Sequence, residues 1–189
     1  MVADIQARKT AELSLKRNES QLRRQNRLLR ATMTGRSKFG GLVGKSQPMQ
    51  EVYEQILNAA AADATVVIYG EPGTGKELVA RTIHQQSDRS NQNFVAVNCS
   101  AVPESLFERE FFGHRKGAFT GADRDTPGLF DRAHKGVLFL DEVTELSPGT
   151  QAKLLRVLQD GEYTPLGGNV PKRADVLIVA ATNKDPQTE

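Results

Sequence analysis

A glycine-rich segment directly after a short apolar run carries the clearest chemical signal in the sequence. Residues 66–69 have β-forming character, the next eight contain the pattern G-x-x-x-x-G-K, and a helical pattern follows. Glycines allow several N–H groups to point inward, the helix start adds its positive dipole end, and Lys76 supplies a charge for β- and γ-phosphates. The predicted polyphosphate-binding residues are Gly70, Glu71, Pro72, Gly73, Thr74, Gly75, Lys76 and Glu77. The simpler alternative is a βα turn with a surface lysine.

The position after the loop lysine departs from the usual pattern. Glu77 stands where such loops commonly carry Ser or Thr, whose hydroxyl ligates Mg²⁺. Either other groups and water hold the metal, or the loop belongs to a variant subclass.

Two carboxylates follow the apolar run at residues 137–140. A continuous apolar run is typical of a parallel strand that is buried on both faces, and ligands bind at the carboxyl ends of such strands. We therefore predict that Asp141 orients Mg²⁺ through water and that Glu142 polarises the water that attacks a γ-phosphate. The alternative is that one of them caps the next element.

Two further segments carry polar or aromatic groups that could contact a ligand or be presented on a loop. A buried strand at 175–182 leads to Asn183, which could contact a γ-phosphate or the attacking water, or could simply form a turn. Residues 113–122 are too glycine-rich for a helix interior. They predict a loop that presents Phe119 and Thr120, with a phenylalanine folded back into the core as the alternative.

The apolar runs and helical patterns around these residues predict an α/β fold with a parallel sheet and flanking helices. Apolar runs near residues 66, 94, 137 and 176 indicate four buried strands. Helices are predicted over residues 48–62, 103–112 and 151–159, and the last should turn Leu154, Leu155 and Leu158 inward.

Composition favours a globular protein with an unusual leader. Of the 189 residues, 38% are hydrophobic, and no run approaches the ~20 apolar residues of a membrane span, so we expect a cytoplasmic protein without membrane contact. One cysteine, Cys99, excludes an intrachain disulfide and is expected to be a small strand-end residue. Residues 1–38 carry a net charge of +7, whereas the whole chain carries +2.

Residues 4–33 predict one long helix without Pro or Gly. Leu15, Leu22 and Leu29 recur every seven residues, but the midpoints are polar. This pattern favours a short coiled coil or a helix that packs on a partner, with a solvated linker helix as the alternative. The opening residues 2–12 resemble the last strand of a PAS sensory domain and the helix that follows it.

Four motifs therefore stand in a fixed order: the phosphate loop, residues 117–122, the carboxylate pair and Asn183. The hexapeptide Gly-Ala-Phe-Thr-Gly-Ala at 117–122, with residues 70–77 and 97–99, resembles the AAA+ domain of bacterial sigma-54-dependent (NtrC-like) transcriptional activators. The resemblance covers residues 42–186. Glu after the loop lysine is expected in that family, whereas Pro72 replaces a more usual Ser or Thr.

The resemblance implies a role for each motif. Asp141 and Glu142 are similar to the Walker B pair, and Asn183 to the sensor I residue. Asn98 resembles the partner that holds Glu142 away from water until the target is engaged. The cofactors implied are ATP and Mg²⁺. The loop that grips sigma-54 would comprise Gly117, Ala118, Phe119, Thr120, Gly121 and Ala122, and residues 161–169 resemble the pre-sensor insertion that moves with it.

On this basis we expect residues 1–38 to be a signalling linker helix and residues 39–189 to be a truncated AAA+ sigma-54 interaction domain. The chain stops six residues after Asn183, before the family's arginine fingers, fifth strand, lid and helix-turn-helix. Residues 65–69 would then be an uncovered sheet edge. The expected partners are sigma-54 RNA polymerase, further copies in a hexameric or heptameric ring, and DNA only through an absent domain.

Three hypotheses about function follow. The first is a ring ATPase that remodels sigma-54 RNA polymerase through residues 117–122. The second is a non-hydrolysing nucleotide-binding or interaction module that pairs through residues 4–33, with weak or no activity as a fragment. The third is a P-loop ATPase with another purpose.

Overall fold

The computed structural model describes residues 38–184. The predicted linker helix, its coiled-coil pairing and the PAS-like opening lie outside the described residues and stay predictions. The boundary that we place between residues 38 and 39 also stays a prediction.

A four-stranded parallel sheet forms the centre of the domain. After two short strands, β1 (Lys38–Phe39) and β2 (Leu42–Val43), its members are β3 (Val66–Tyr69), β4 (Phe94–Asn98) and β5 (Val137–Asp141). The fourth is the last strand within residues 38–184, β8 (Leu177–Thr182), and the spatial order is β3-β8-β5-β4. All four predicted strands are present, and the three-layer α/β fold is confirmed.

Alternate residues of the central strands face two separate cores. In β5, Leu138 and Leu140 lie in one cluster and Val137 and Phe139 lie in the other, and all four are buried. Period-two alternation of this kind, with apolar residues on both faces, is why the strand appears in the sequence as an unbroken apolar run.

Helices cover both faces of the sheet. On one face lie α1 (Gln47–Ala62) and α2 (Lys76–Gln86), which contribute Ile56 and Ile83 to the core. The other face is covered by α3 (Glu104–Phe112), the single-turn α4 (Leu129–Arg132) and α5 (Pro148–Asp160). No helix among residues 38–184 is both long enough and apolar enough to cross a membrane.

The prediction for α5 is wrong about which leucines face the core. Leu154 is buried with Val157, whereas Leu155 is 51% and Leu158 is 40% exposed. The buried face follows the spacing of Thr150, Leu154 and Val157, which lie four and three residues apart and so share one side of a helix. The two exposed leucines are rotated away from that side.

Two small antiparallel hairpins were not predicted. Strands β1 and β2 pair around a turn where Gly40 has a φ of 59°. Strands β6 (Glu162–Tyr163) and β7 (Lys172–Arg173) pair within and beyond the predicted insertion. Each strand has two residues, which is too short for an alternation pattern.

Candidate functional site

The predicted phosphate loop connects β3 directly to α2. Gly73 and Gly75 have φ values of 80° and 88°, a region that only glycine adopts easily, so the sharp turn requires them. The Gly70 N–H donates to the Thr182 carbonyl at 3.2 Å, which ties the start of the loop to the neighbouring strand. The Thr74 hydroxyl donates to the Glu71 carbonyl at 2.7 Å and closes the turn.

Helix α2 begins at the loop lysine with its first N–H groups available for an anion. Gly75 is the N-cap residue and provides no side chain to occupy those donors. The uncapped N–H groups and the helix dipole together favour a bound phosphate. Glu77 points elsewhere, since its carboxylate forms an ion pair with Arg81 at 2.7 Å, and both side chains are about half exposed.

Lys76 is a buried cation held inside the loop. Its side chain is only 8% exposed, and Nζ donates to the Gly70 carbonyl at 2.9 Å and to the Glu71 carbonyl at 3.3 Å. Nζ also lies 3.6 Å from Glu142 Oε1. The structure therefore joins the phosphate loop to the predicted catalytic carboxylate through one ion pair.

Glu142 has an unusual backbone and an unused carboxylate oxygen. Its φ of 52° and ψ of 50° place a non-glycine residue in the left-handed region, which costs energy and occurs mostly at functional positions. Its Oε2 is buried without a hydrogen-bond partner. A strained residue with a free acceptor beside a buried lysine is consistent with a group that moves when a ligand arrives.

Asp141 ends β5 next to Glu142, and its Oδ1 accepts the Glu142 N–H at 3.1 Å. Residues 38–184 contain no group of three or more His, Cys, Asp or Glu side chains that could hold a metal on its own. The donor set fits Mg²⁺ nonetheless, because Mg²⁺ usually takes one or two carboxylates and completes its shell with water and phosphate oxygens.

Asn98 lies at the end of β4, in register with Asp141 of β5. Its Oδ1 accepts hydrogen bonds from the Ser100 N–H at 2.9 Å and from the Ser100 hydroxyl at 2.7 Å. Within residues 38–184 no hydrogen bond joins Asn98 to Glu142. Both hydrogen bonds use Oδ1, so they leave the NH₂ group of the Asn98 amide unused. The role inferred for Asn98 stays a prediction.

Thr182 is a residue of this region that the sequence reasoning did not single out. It is 3% exposed, and its hydroxyl shares a hydrogen bond of 3.0 Å with Thr144, just beyond Glu142. Because its carbonyl accepts the Gly70 N–H, Thr182 links the last strand to both predicted motifs. The sensor candidate Asn183 follows it and is exposed. The sequence signal that could have identified Thr182 is a threonine at the end of a long apolar run.

An apolar groove of about 410 Å³ opens beside the phosphate loop. Its walls come from the β1–β2 hairpin, α1, β3, the phosphate loop and α2, and Lys76 is one of the lining residues. Its size and mostly apolar lining are typical of small-molecule sites. The lining residues include Leu42, Met49, Ile56, Ile68 and Gly70.

The predicted partner-binding loop is a closed turn. The Gly117 N–H donates to the Ala122 carbonyl at 2.8 Å, and the Ala122 N–H donates to the Phe119 carbonyl at 3.0 Å. Gly117 and Gly121 have positive φ. Thr120 is exposed and Phe119 is 37% exposed, so the tip is presented to solvent as predicted while the Phe119 ring is partly covered.

The 161–169 segment contacts this loop at its base. The Arg115 N–H donates to the Leu166 carbonyl at 2.9 Å. A Cβ at Gly167 would lie 2.6 Å from the Ala118 Cβ, so only glycine fits this approach. Asp125 closes the other side through Arg115 and the Lys116 N–H.

Cys99 is structural in character. It is 2% exposed, and burial, with a smaller contribution from Asp141, raises the pKa of its thiol to about 12. The thiolate, which is the nucleophilic form, is therefore strongly disfavoured.

Comparison with known proteins identifies the family. The family model described as "Sigma-54 interaction domain" matches residues 42–189. The chain is 51% identical over 162 residues to a Nif-specific regulatory protein of Azotobacter vinelandii, covering 85% of this chain and 31% of that protein. It is 54% identical over 144 residues to the DNA-binding transcriptional regulator NtrC of Rhizobium meliloti (strain 1021), covering 76% and 30%.

Solved structures agree on the fold. The crystal structure of NtrX from Brucella abortus in complex with ATP is similar with a TM-score of 0.69 and 37% identity, covering 77% of this chain and 31% of that chain. Sigma-54 interaction domains are AAA+ ATPases. The chain thus spans about a third of the length of the relatives it matches. With a family model that covers most of its residues and relatives half identical in sequence, the chain belongs to the sigma-54 interaction domain family.

Proposed function

We propose that this chain is the nucleotide-driven module of a transcriptional activator, which hydrolyses ATP in a ring and remodels sigma-54 RNA polymerase through residues 117–122. The observation that carries the proposal is the ion pair between Lys76 and Glu142 at 3.6 Å, which couples phosphate binding to the catalytic carboxylate. The sigma-54 part rests on the family and on the exposed Thr120.

Binding would use the loop, the helix start and the groove. The N–H groups of the loop and of α2 receive the phosphates, and the apolar groove beside them suits the base and sugar of ATP. When phosphates occupy the loop they compete with Glu142 for Lys76, because both are anions near one buried cation. Glu142 is then released and can accept a proton from water.

The hydrolytic step would depend on that released carboxylate. Glu142 removes a proton as water attacks the γ-phosphorus and the bond to the β–γ bridging oxygen breaks. Mg²⁺, when bound, would neutralise charge on the phosphates, and Asp141 would hold it through water. Asn98 and Asn183 would position Glu142 and the attacking water from the ends of β4 and β8, the two strands that flank β5. Further copies would form the ring, and DNA contact would come from a domain outside these 189 residues.

A fluorescent ATP analogue tests the nucleotide part. The 189-residue chain should bind it, and Lys76→Ala should abolish binding because the loop loses its buried cation. Phosphate release measured against protein concentration then separates the hypotheses. Turnover that rises with concentration supports a ring ATPase, whereas binding without turnover at any concentration supports the non-hydrolysing module.

Binding to purified sigma-54 tests the partner. Thr120→Ala should abolish binding measured by fluorescence anisotropy in the presence of ATP. Ser90→Ala is the matched control, since Ser90 is also exposed and lies in the α2–β4 connection, at the opposite end of the sheet from the phosphate loop. If Thr120→Ala binds as well as Ser90→Ala, residues 117–122 do not carry the contact; if the unsubstituted chain does not bind sigma-54, the sigma-54 role fails and an ATPase of another purpose is favoured.

A further inference from the structure

The ring of Phe119 rests on two side chains of its own domain. The ring centroids of His114 and Phe119 lie 4.9 Å apart at an interplanar angle of 57°. The guanidinium carbon of Arg109 lies 5.9 Å from the Phe119 centroid, over the ring. Tilted aromatic pairs and cations over a ring face are both favourable geometries. We call Arg109 and His114 the Phe119 platform.

The platform is anchored on both sides. The His114 N–H donates to the Thr126 carbonyl at 3.0 Å, and its carbonyl accepts the Thr126 N–H at 2.9 Å. Arg109 lies in the last turn of α3, where Phe107 and Phe111 are fully buried. The fold therefore fixes the backbone of the platform, while the Arg109 side chain, which is 37% exposed, also pairs with Glu110 at 3.4 Å.

The tip of the loop leaves room for the Phe119 ring to move. The backbone turn is closed by hydrogen bonds, but a Cβ added at Gly117 or at Gly121 would meet nothing within 4 Å, so open space adjoins the tip. Thr120 is exposed, and Phe119 is itself 37% exposed. Contacts with the platform therefore contribute to where the ring lies.

We propose that Arg109 is a positioning residue that, with His114, holds the Phe119 ring docked against the end of α3, so that Phe119 leaves the platform before its ring contacts a partner. The identity of that partner rests on the function proposed above. Docking itself does not depend on it. Arg109 would then set how readily the loop is available.

A tryptophan reporter measures docking directly. The chain contains no tryptophan, so Phe119→Trp introduces a single tryptophan, which can be excited selectively, at the ring in question. In this background Arg109→Ala should shift the docked–undocked equilibrium about 2- to 5-fold toward the undocked form, the range for a cation–ring contact at an exposed site. The expected readouts are stronger acrylamide quenching and a red-shifted emission maximum.

Three variants control for charge and for folding. Arg109→Lys keeps a cation on a flexible stem and should restore most of the protection. Arg124→Ala removes an exposed arginine from the loop after the hexapeptide, and residues 38–184 offer it no ion pair or ring contact, so it should leave the quenching unchanged. If Arg109→Ala lowers the melting temperature, Arg109→Gln keeps a polar, unbranched side chain without the charge and replaces it in the comparison. Equal quenching in Arg109→Ala (or Arg109→Gln) and in Arg124→Ala overturns the proposal.

A separate measurement of sigma-54 affinity tests the functional consequence of docking. With Phe119 unchanged, Arg109→Ala should bind sigma-54 about 2- to 5-fold more tightly than the unsubstituted chain, because undocking the Phe119 ring then costs less free energy. Unchanged affinity with increased quenching in the reporter overturns the link between docking and partner binding. If no form binds sigma-54, the proposed function fails, and the quenching result still decides whether Arg109 holds Phe119.

Discussion

At the scale of single residues, the pairing of Lys76 with Glu142 is the feature that connects ligand binding to chemistry. The two residues are far apart in the sequence and meet because β3 and β5 both end at the same edge of the sheet. Lys76 cannot pair fully with the carboxylate and with a phosphate at the same time, so the two anions compete for it.

We predict opposite effects of Glu142→Gln on binding and on turnover. Removing the competing charge should tighten ATP binding about 2- to 5-fold, as expected for an ion pair worth ~1 kcal/mol or less. Losing the general base should lower turnover by ~10²–10⁴-fold. Titration with a fluorescent ATP analogue and phosphate release measure the two quantities.

Glu145→Gln is the control for that substitution. Glu145 pairs with Lys184 at 3.3 Å, is 45% exposed and lies three residues further along. It should change neither quantity. A fall in ATP affinity for Glu142→Gln would show that Glu142 supports the loop and does not compete with the ligand.

The sequence predicted which residues form this site better than it predicted their contacts. Asp141, Glu142 and Asn98 lie at the carboxyl ends of parallel strands, and Lys76 begins the helix that follows β3 at the same edge of the sheet. Their pairing follows from three-dimensional distances that no local spacing contains. The hydrogen bond from the Ser100 N–H to Asn98 could have been predicted, because an Asn side chain in a turn commonly accepts from the backbone N–H two residues later.

At the scale of elements, a small polar cluster attaches the β6–β7 hairpin to α4. Lys172 Nζ donates to Asp131 Oδ1 at 2.6 Å, and the Gly128 N–H donates to Asp131 Oδ2 at 3.2 Å. Burial opposes ionisation of Asp131, but hydrogen bonds from Lys172, Gly128 and Tyr163 outweigh it and hold the pKa of this carboxyl below its ordinary value.

We predict that Asp131→Asn lowers the free energy of unfolding by ~1.5–3 kcal/mol at pH 7, the range for a hydrogen bond to a charged group. A carboxyl with a lowered folded-state pKa stabilises the fold above its unfolded pKa of about 3.9 and loses that contribution as pH falls through the folded value. The difference from the unsubstituted chain should therefore be constant above ~pH 5 and shrink below ~pH 4.

Urea unfolding at several pH values measures this difference. Asp123→Asn is the control, because Asp123 is an exposed residue of the neighbouring loop. A difference that stays constant down to pH 3 would mean that Asp131 acts through packing and not through its charge.

Glycines at element junctions provide a second test. A Cβ at Gly113 would lie 2.4 Å from the Thr126 carbonyl oxygen, and its φ is 73°. We predict that Gly113→Ala costs ~1–3 kcal/mol from backbone conformation alone, with more from the clash. Gly149→Ala should instead stabilise the chain by ~0.4–1 kcal/mol, since Gly149 lies in α5 and its Cβ would meet nothing.

Thermal unfolding of the two alanine variants compares them on one scale. Opposite shifts in melting temperature are expected. A stable Gly113→Ala variant would show that the segment before the 117–122 loop can adopt another backbone.

Elements with long apolar patterns were predictable, and those held by distant contacts were not. The central strands β5 and β8 have continuous apolar runs because both of their faces are buried, whereas β3 and β4, predicted as buried strands, lie at the two edges of the sheet and expose alternate residues. The two-residue hairpins depend on pairing partners up to eleven residues away, such as Glu162 with Arg173. The error for Leu155 and Leu158 arose because three leucines within five residues fit two helix faces, and Thr150 and Val157 decide between them.

At the scale of the whole molecule, the sheet has an apolar edge beside the nucleotide loop. Strand β3 pairs with β8 on one side and is the last strand of the sheet on the other, as the sequence predicted for residues 65–69. Val67 is 58% and Tyr69 is 56% exposed. An exposed apolar edge strand offers unpaired backbone groups to other chains.

We predict that Val67→Lys slows aggregation of the 189-residue chain, because a charge on an edge strand opposes strand pairing between chains. Val170→Lys is the matched control. It makes the same substitution at a residue that is 67% exposed but lies outside the strands, so it adds the same net charge without protecting an edge. Light scattering at 37 °C should show slower growth for Val67→Lys alone. Equal protection by both variants would attribute the effect to net charge, and no protection by either would place the aggregating surface elsewhere than β3.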